Sequence, residues 1–588
     1  MAVSPDADAA AAATGRIKRI NGPLVEVEEM QSVAMQDVME LGVLRIPAEV
    51  ISIEKGLVTA QAYEYLGGVR IDEAAINLGR PLSAPLGPGL LGGIFDGLLR
   101  TLTAAPTFLV PGALATHVAT GTFAFEPRVK GGDAAVPGMI CGILVSTGRI
   151  EHRVLVPPNL TGRFDWVASA GTFAADAVVA RVGDHNIALT QWWPIRVPRP
   201  LHARLPAAAP LLTGQRAVDL CFPIAKGDTA AVPGGFGTGK TMLLQQILKW
   251  SDADVIVFVG CGERGNELAD AMGDLAAMRD PSTGSSLLER TIVIANTSNM
   301  PVMAREASIY SGMTVAEYYR DMGYDALVLA DSTSRWAEAL REFSSRAGEQ
   351  PAEEGFPASL SSDIAAFYER AGRVTTLGGA GGSVTVIGAV SPPGGDMTEP
   401  VTAQTERFIR CLWSLDRDLA YARHYPAVSW RLSFSRDVDL VGAWHASHGR
   451  PQWARNRARA MSMLAEADRL ASVVELVGLT GLPARERMVL LAGRWLREGV
   501  LQQNALSAND ASCSPEKQSA LLQMVLAMHD HCLQLVASDR APESIEQQDF
   551  SALFHARDDV AADDAAGVTR IRDRIMAMLD AKPEHAAA

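Results

Sequence analysis

A glycine-rich stretch that ends in a lysine and a threonine is the part of this sequence best suited to chemistry. It has the form Gly-x-x-x-x-Gly-Lys-Thr, and it lies between a short apolar run and a helix-favouring run at residues 242–250. Residues without a Cβ let the backbone approach a phosphate closely, so that main-chain N–H groups surround it. The pattern therefore predicts a phosphate-binding loop. Its members are Gly234, Gly235, Phe236, Gly237, Thr238, Gly239, Lys240 and Thr241.

The last residues of this loop have distinct expected roles. Lys240 can reach the β- and γ-phosphate oxygens, and the Thr241 hydroxyl can bind Mg²⁺. The helix that follows points its positive end at the phosphates. Its apolar positions 243, 244, 247 and 248 share one face, which suits packing on a sheet. The alternative is a chance glycine turn before a helix.

An aspartate follows another apolar run. Asp331 comes directly after the run at residues 326–330, and Arg335 follows four residues later. An aspartate at the end of a strand binds Mg²⁺, directly or through water, when it stands beside a phosphate loop. Asp331 is therefore the predicted magnesium partner. A turn aspartate, or a helix N-cap before Trp336, is the alternative for such a residue standing alone.

Glycines flank a Glu-Arg pair at the end of a third apolar run. Glu263 could orient or deprotonate an attacking water. Arg264, and Arg335 from the next motif, could stabilise negative charge on the γ-phosphate. A local salt bridge in a loop is the competing interpretation of Glu263 and Arg264.

The composition restricts the class of protein. The chain has 588 residues, 48% of them hydrophobic and 20% charged, which is enough for several cores. A net charge of −14 and a sequence pI near 5.4 argue against nucleic acid as a main partner. The six cysteines show no paired spacing, which is typical of reduced, buried thiols in a cytoplasmic protein. We expect no signal peptide and no run of about 18 apolar residues that would span a bilayer.

The fold class predicted from the pattern of runs is α/β, with a P-loop core built on a mainly parallel sheet. Alternating short runs with turn residues predict β-structure before the core, and strands alternating with helical stretches predict the core. Apolar spacing of three to four at residues 453–477 and 484–503 predicts helices after it. The predicted units are a disordered tail at 1–14, an N-terminal β-barrel at 15–80, a connection joining the core at 81–109, an inserted β-domain at 110–187, the nucleotide-binding core at 188–436 and a C-terminal helical bundle at 437–588.

Taken together, these motifs resemble the catalytic A subunit of the V-type and A-type ATPases over nearly the whole chain. The resemblance includes the inserted β-domain and a Leu-Pro-Ala-Arg-Glu-Arg segment in the helical end. The stretches that carry it are residues 234–241, 260–267, 295–302, 305–310, 331–342, 367–373 and 388–395.

The resemblance implies an alternating ring of three A and three B subunits. Such a ring hydrolyses or makes ATP as a central stalk turns within it, held by peripheral-stalk subunits and coupled to a membrane ring that carries H⁺ or Na⁺. It implies that Lys240 and Thr241 bind the phosphates and Mg²⁺. It also implies that Glu263 is the water-activating carboxylate and that Glu267 and Asp331 belong to the Mg²⁺ shell. An arginine finger is expected from the neighbouring B subunit, and the chain is expected on the cytoplasmic side of the membrane.

Two aromatic residues lie where related subunits supply walls for adenine. Tyr425 and Phe434 are the stacking candidates, because stacking suits a flat π-face. Core packing is the alternative for Phe434. The sequence departs from the usual family pattern between residues 376 and 383, where the segment is short and uncharged, and at 347–352 and 361–363.

Two rival functions are compatible with the sequence. One is a ring-forming P-loop ATPase of another class, either an export ATPase or a nucleic-acid translocase; the acidic balance and the inserted β-domain weigh against it. The other is a non-catalytic ring protein that holds nucleotide, which would be expected to lack the set of Lys240, Glu263 and Asp331.

Overall fold

A computed structural model describes residues 13–102, 112, 121–145, 150–265, 273, 275, 277–280 and 283–581. Most of the predicted tail and the proposed magnesium ligand Glu267 lie outside these residues. The last residue of the predicted tail, Thr14, already belongs to the first strand. All six cysteines are buried and none forms a disulfide, which agrees with their predicted role as small apolar residues.

The N-terminal strands form a closed barrel with the order β1-β2-β5-β4-β3-β6. Alternate residues fill it, as in β2, where Val25 and Val27 are fully buried and their neighbours are not. The predicted N-terminal β-barrel is confirmed. Its strands are Thr14–Asn21 (β1), Leu24–Glu28 (β2), Asp37–Leu41 (β3), Ile46–Glu54 (β4), Leu57–Ala62 (β5) and Ala74–Pro81 (β6).

Two short strands, Ser83–Leu86 (β7) and Ile94–Phe95 (β8), follow the barrel. β7 pairs with a strand at Gln191–Pro194 that follows the inserted domain, and β8 pairs in parallel with residues 293–294 at the edge of the core sheet. The predicted connection therefore contributes strands of its own. The two residues of β8 are too few to show an alternating pattern, so the sequence did not predict this strand.

The inserted domain is a sandwich of two four-stranded sheets, ordered β10-β13-β15-β16 and β12-β11-β9-β14. Apolar side chains from both sheets, among them Phe125, Phe164 and Val179, form its core. Its strands are Thr122–Pro127 (β9), Ala134–Ala135 (β10), Ile140–Val145 (β11), His152–Leu155 (β12), Gly162–Val167 (β13), Gly171–Ala174 (β14), Val178–Val182 (β15) and His185–Ala188 (β16).

The core is built on a ten-stranded sheet with the main order β26-β25-β19-β24-β22-β20-β21-β8. Neighbours from β25 to β8 run parallel, and β26, β23 and β18 are antiparallel additions, so the predicted mainly parallel sheet is confirmed. The remaining strands are Gln191–Pro194 (β17), Ala203–Leu205 (β18), Thr229–Pro233 (β19), Val255–Glu263 (β20), Thr291–Thr297 (β21), Asp325–Asp331 (β22), Gly372–Thr375 (β23), Gly381–Val390 (β24), Cys411–Leu412 (β25) and Phe434–Ser435 (β26).

Helices cover both faces of this sheet. α1 buries Leu243, Leu244, Ile247 and Leu248, the four positions that the sequence placed on one face. The helices are Lys240–Trp250 (α1), Val302–Asp321 (α2), Thr333–Ala347 (α3), Leu360–Tyr368 (α4), Pro400–Phe408 (α5) and Arg417–Tyr421 (α6). Single turns lie at Ala217–Cys221, Leu287–Arg290, Glu353–Gly355 and Pro393–Gly395.

The chain ends in a bundle of helices, as predicted. The predicted helix at residues 453–477 is present with those bounds, and the one expected from residue 484 continues into a wider π-helical segment, Trp495–Leu501. The other short turn is Leu479–Gly481. The helices are Val438–Ser447 (α7), Trp453–Val477 (α8), Ala484–Arg494 (α9), Pro515–Ala537 (α10), Pro542–Glu546 (α11), Ser551–Asp559 (α12) and Ala565–Asp580 (α13).

Within the described ranges, α10 alone is long and apolar enough to cross a membrane, with a mean hydropathy of 1.2. Its buried residues nevertheless include a lysine, which is held inside the bundle. The buried Lys517 ammonium donates hydrogen bonds to the carbonyls of Asn509 (2.9 Å), Arg557 (2.8 Å) and Val560 (2.7 Å). A buried amine held in this way is typical of a core helix.

Buried ion pairs join the units to the core. Arg196 donates to both carboxylate oxygens of Glu49 in the barrel, at 2.9 Å each, and to Glu306 on α2 at 2.7 Å. Arg216 of the core pairs with Asp510, which lies between two helical segments of the bundle, at 2.6 Å, and both side chains are fully buried. These contacts join the barrel and the bundle to the core.

The short segment that departs from the family pattern forms the turn between β23 and β24. Thr376 N–H donates to the Ala380 carbonyl at 2.8 Å and closes it. The backbones of Gly378 and Gly138 approach so closely that a Cβ on either would clash, so this turn packs against the inserted domain.

Candidate nucleotide-binding site

The site lies where neighbouring parallel strands end. β19 ends at Pro233, β20 at Glu263 and β22 at Asp331, and Asp331 lies opposite Gly260 in the β20–β22 pairing. The carboxyl ends of parallel strands share one edge of a sheet, and ligands bind in the crevice outside it. The phosphate loop and the two predicted carboxylates therefore meet at this edge.

The loop at residues 234–239 has the conformation that its glycines predict. Gly237 and Gly239 have φ angles of +79° and +92°, which residues with a Cβ rarely adopt. A Cβ on Gly234 would lie 2.6 Å from Thr238 Oγ1. The Thr238 hydroxyl donates to the Gly235 carbonyl at 2.8 Å and fixes the curve of the loop.

Lys240 lies over the loop as the first residue of α1. Its ammonium donates to the carbonyls of Gly234 at 2.6 Å and Gly235 at 3.0 Å. Burial lowers the pKa of Lys240, while the charges of Asp331 and Glu263 act to raise it. Phosphate oxygens would be satisfactory substitutes for the loop carbonyls that the ammonium now contacts.

Thr241 and Asp331 contact each other directly. The Thr241 hydroxyl donates to Asp331 Oδ2 at 2.9 Å, and Asp331 is only 3% exposed. A hydroxyl and a carboxylate at this spacing are hard oxygen donors of the kind that Mg²⁺ prefers. The donor set fits magnesium, and the glycine loop beside it fits a phosphate chain.

Glu263 is half-buried at the end of β20, next to a glycine in an unusual conformation. Gly262 has φ +72°, and a Cβ there would lie 2.9 Å from Arg335 Cβ and 3.2 Å from Arg305 Cδ. Arg335 donates to both oxygens of Glu338 at 2.9 Å, and this contact, with the charge of Glu263, raises the pKa of Arg335. Arg264, the residue after Glu263, is exposed.

The aromatic candidates have different surroundings. A ring carbon of Tyr425 lies 3.5 Å from the position that a Cβ on Gly239 would take, so this ring borders the phosphate loop and stays 42% exposed. Phe434 is half-buried in β26, with the Arg436 guanidinium 5.6 Å from its ring centre. Phe236 at the loop tip is 95% exposed.

The sequence did not predict that Arg305 contacts the glycine that precedes Glu263. This arginine lies in the first turn of α2, far from Glu263 along the chain, yet its side chain packs on Gly262. Residues 305–310 are one of the stretches that carry the family resemblance, so the sequence did mark Arg305 as a candidate. Residue spacing alone, however, does not identify the residue that it contacts.

A phosphate loop on a parallel sheet, with a magnesium-type oxygen pair and a second carboxylate beside it, defines a P-loop ATPase domain. Comparison with family profiles narrows the class. The nucleotide-binding domain of the ATP synthase alpha/beta family matches residues 214–435, its barrel-sandwich domain matches 118–196, and the C-terminal domain of V and A type ATP synthase matches 442–545.

Relatives of the whole chain give the same result. The V-type ATP synthase alpha chain of Nitrosococcus oceani is 48% identical over 539 residues, which cover 89% of this chain and 90% of that protein. The A subunit of the A-type ATP synthase of Metallosphaera sedula is 49% identical over 525 residues, covering 87% and 89%. That of Thermococcus sibiricus is 45% identical over 543 residues, covering 90% and 93%. The chain belongs to the family of V-type ATP synthase alpha chains and their A-type counterparts, the A subunits.

Membership in this family makes the chain the catalytic component of a multi-subunit rotary ATPase, which hydrolyses or synthesises ATP and is coupled to ion transport. A solved structure of the assembled ATPase EscN from the enteropathogenic E. coli type III secretion system superposes with a TM-score of 0.63. It covers 87% of this chain and 99% of that one, at 22% identity. At that identity the likeness shows the fold alone, so the export-ATPase alternative gains no functional support from it.

Proposed function

We propose that the corner formed by the phosphate loop, Glu263 and Asp331 is the catalytic site for ATP hydrolysis and synthesis. Lys240 binds the β- and γ-phosphate oxygens, and Glu263 orients the attacking water and accepts its proton. Arg264 and Arg335 face the γ-phosphate and stabilise its charge. The observation that carries this assignment is the shared edge of the sheet, where the phosphate loop follows β19 and the strands β20 and β22 end at Glu263 and Asp331.

Thr241 and Asp331 are the proposed holders of Mg²⁺, with Glu267 in its shell. When bound, the ion neutralises charge on the phosphate oxygens. The hydrogen bond from Thr241 to Asp331 supports this role, because it keeps both oxygens facing one point before any ligand arrives.

Tyr425 is the first proposed adenine contact, and Phe434 is the second. The ring of Tyr425 is partly exposed and borders the start of α1, which is where the far end of a nucleotide bound to the loop would extend. A flat aromatic face is suited to stacking on a purine.

We propose the B subunit of the same ATPase class as the partner that completes the site, in an alternating ring of three A and three B subunits. Arg264 and Arg335 lie on the exposed side of the corner, where a neighbouring protein could add an arginine finger. Such a finger is worth about 10³- to 10⁵-fold in rate, so the isolated chain should hydrolyse ATP slowly. Central-stalk and peripheral-stalk subunits would link the ring to a membrane ring that carries H⁺ or Na⁺, with this chain on the cytoplasmic side.

The proposal is tested by mixing the chain with the B subunit and measuring Mg-ATP turnover and ADP binding for the native protein and for Glu263→Gln. The expected result is an assembly whose turnover is lost in Glu263→Gln while ADP still binds. Glu342→Gln is the matched control, because Glu342 is an exposed carboxylate that pairs with Arg346 on α3.

Two results would overturn the proposal. Full activity of the isolated chain would contradict a site shared with a partner. Unchanged turnover in Glu263→Gln would exclude this carboxylate as the group that activates water.

A further inference from the structure

The arginine at the start of α2 packs on the residue that precedes Glu263. Arg305 Cδ lies 3.2 Å from the place of a Cβ on Gly262, so a larger residue there would press against the arginine stem. Gly262 also has a positive φ, so the turn that presents Glu263 depends on glycine for two separate reasons. The stem of Arg305 forms one wall of that turn.

Hydrogen bonds connect Arg305 to the backbone of Glu263 through a single residue. Arg305 Nη2 donates to the Ser298 carbonyl at 2.9 Å, and Ser298 N–H donates to the Glu263 carbonyl at 2.8 Å. On the other side, the Cys261 thiol donates to the Arg305 carbonyl at 3.6 Å. Arg305 therefore contacts Cys261 and Gly262 directly and reaches the backbone of Glu263 through Ser298.

Among the described residues, the Ser298 carbonyl is the one hydrogen-bond acceptor of the Arg305 side chain. Arg305 borders two surface cavities of about 700 Å³ and 690 Å³, one between the barrel and α2 and the other along α3. Its Nε is buried and makes no hydrogen bond among the described residues. A buried donor without a partner costs roughly 1–3 kcal/mol, so the geometry here is not explained by stability alone.

We propose that Arg305 is a positioning residue for Glu263, which holds the turn at 262–263 so that the carboxylate keeps its catalytic orientation. The inference rests on the proposed role of Glu263. A catalytic group must be held within a fraction of an ångström, since a displacement of about 1 Å can cost 10²-fold in rate. Arg305 acts through the turn and need not touch the nucleotide.

The test compares substitutions in the complex with the B subunit. Arg305→Met keeps the stem that packs on Gly262 but removes the donors, and Arg305→Lys keeps the charge and one donor group. Arg346→Met is the control, because Arg346 borders both cavities as Arg305 does but pairs only with the exposed Glu342 among the described residues. Assembly, kcat, KM for Mg-ATP and ADP affinity are measured for each.

In Arg305→Met we expect kcat to fall about 10- to 100-fold, with KM and ADP affinity changed by less than about twofold. Arg305→Lys should recover part of kcat, and Arg346→Met should match the native protein. Because Arg305 acts through Glu263, adding Arg305→Met to Glu263→Gln should produce no further loss.

A kcat within about twofold of the native value in Arg305→Met would overturn the inference, as would a combined loss of kcat and ADP affinity. Failure of both Arg305 variants to assemble would assign the residue to an intermolecular contact instead and would also overturn it. These results are separate from failure of the proposed function, which would appear as unchanged turnover in Glu263→Gln.

Discussion

The Thr241 hydroxyl donates a 2.9 Å hydrogen bond to Asp331 across a separation of 90 residues. Thr241 lies in the first turn of α1, which follows β19 and the phosphate loop. Asp331 ends β22, which is separated from β19 in the sheet by β24. The contact arises because β19 and β22 are both parallel neighbours of β24, so their ends reach the same edge. It brings together two oxygens of the kind that a magnesium ion binds.

Thr241→Ala should therefore impair the metal-dependent part of nucleotide binding. Without the hydroxyl, one oxygen of the proposed Mg²⁺ pair is lost, and Asp331 loses the hydrogen bond from Thr241. We expect a weaker dependence of ADP affinity on Mg²⁺ and a turnover at least about tenfold lower. Titration of ADP with and without Mg²⁺ measures the first effect. Thr241→Ser keeps the hydroxyl and should retain most of both; equal losses in the two variants would contradict the assignment.

Tyr425 should contribute to affinity through its ring and not through its hydroxyl. Tyr425→Ala should weaken ADP binding by about tenfold, the equivalent of one aromatic stacking contact. Tyr425→Phe keeps the ring and should bind ADP as the native chain does. Equilibrium titration of ADP against each variant measures the difference, and equal affinity of the alanine variant would exclude Tyr425 from the adenine site.

The buried pair of Arg216 and Asp510 should be essential for attaching the helical bundle to the core. Asp510→Asn keeps the shape but leaves Arg216 buried without its counter-charge, which typically costs about 3–5 kcal/mol. The urea midpoint of unfolding should fall accordingly. Glu466→Gln removes one half of an exposed ion pair with Arg469 and should change the midpoint little. Similar midpoints for the two variants would show that the buried pair adds no stability.

Acid should destabilise the packing of the inserted domain on α2 through His152. This buried ring contacts the Tyr318 hydroxyl at 3.1 Å, and burial lowers its pKa from 6.5 to about 4. Between these values the unfolded chain binds the proton and the folded chain does not, so stability falls as pH drops from about 6.5 to about 4. The full difference is on the order of 3 kcal/mol.

His152→Gln removes this proton-binding group and should make unfolding less sensitive to acid in that window. Unfolding midpoints measured at pH 7, 6 and 5 for the native chain and the variant give the comparison. His185→Gln, at an exposed position of the same domain, is the control. Parallel pH profiles for the native chain and His152→Gln would contradict the prediction.

Local patterns in the sequence determined the elements of this protein. The glycine loop, the apolar runs that end at Glu263 and Asp331, and the helix Trp453–Val477 could all be predicted, because steric freedom at glycine and the periods of strands and helices act within a few residues. The motifs were specific enough to indicate the family. The residue types at the loop and at the strand ends were sufficient to propose their chemistry.

Only the tertiary structure determined which of these residues meet. The edge strand Ile94–Phe95, the contact of Arg305 with Gly262, and the pairing of Arg216 with Asp510 join parts of the chain that lie far apart in sequence. Such contacts follow from the order of strands in the sheet and from packing between domains, which leave no periodic trace in either partner. The sequence therefore specified the chemical groups, whereas the order of the parallel strands decided their spacing and their partners.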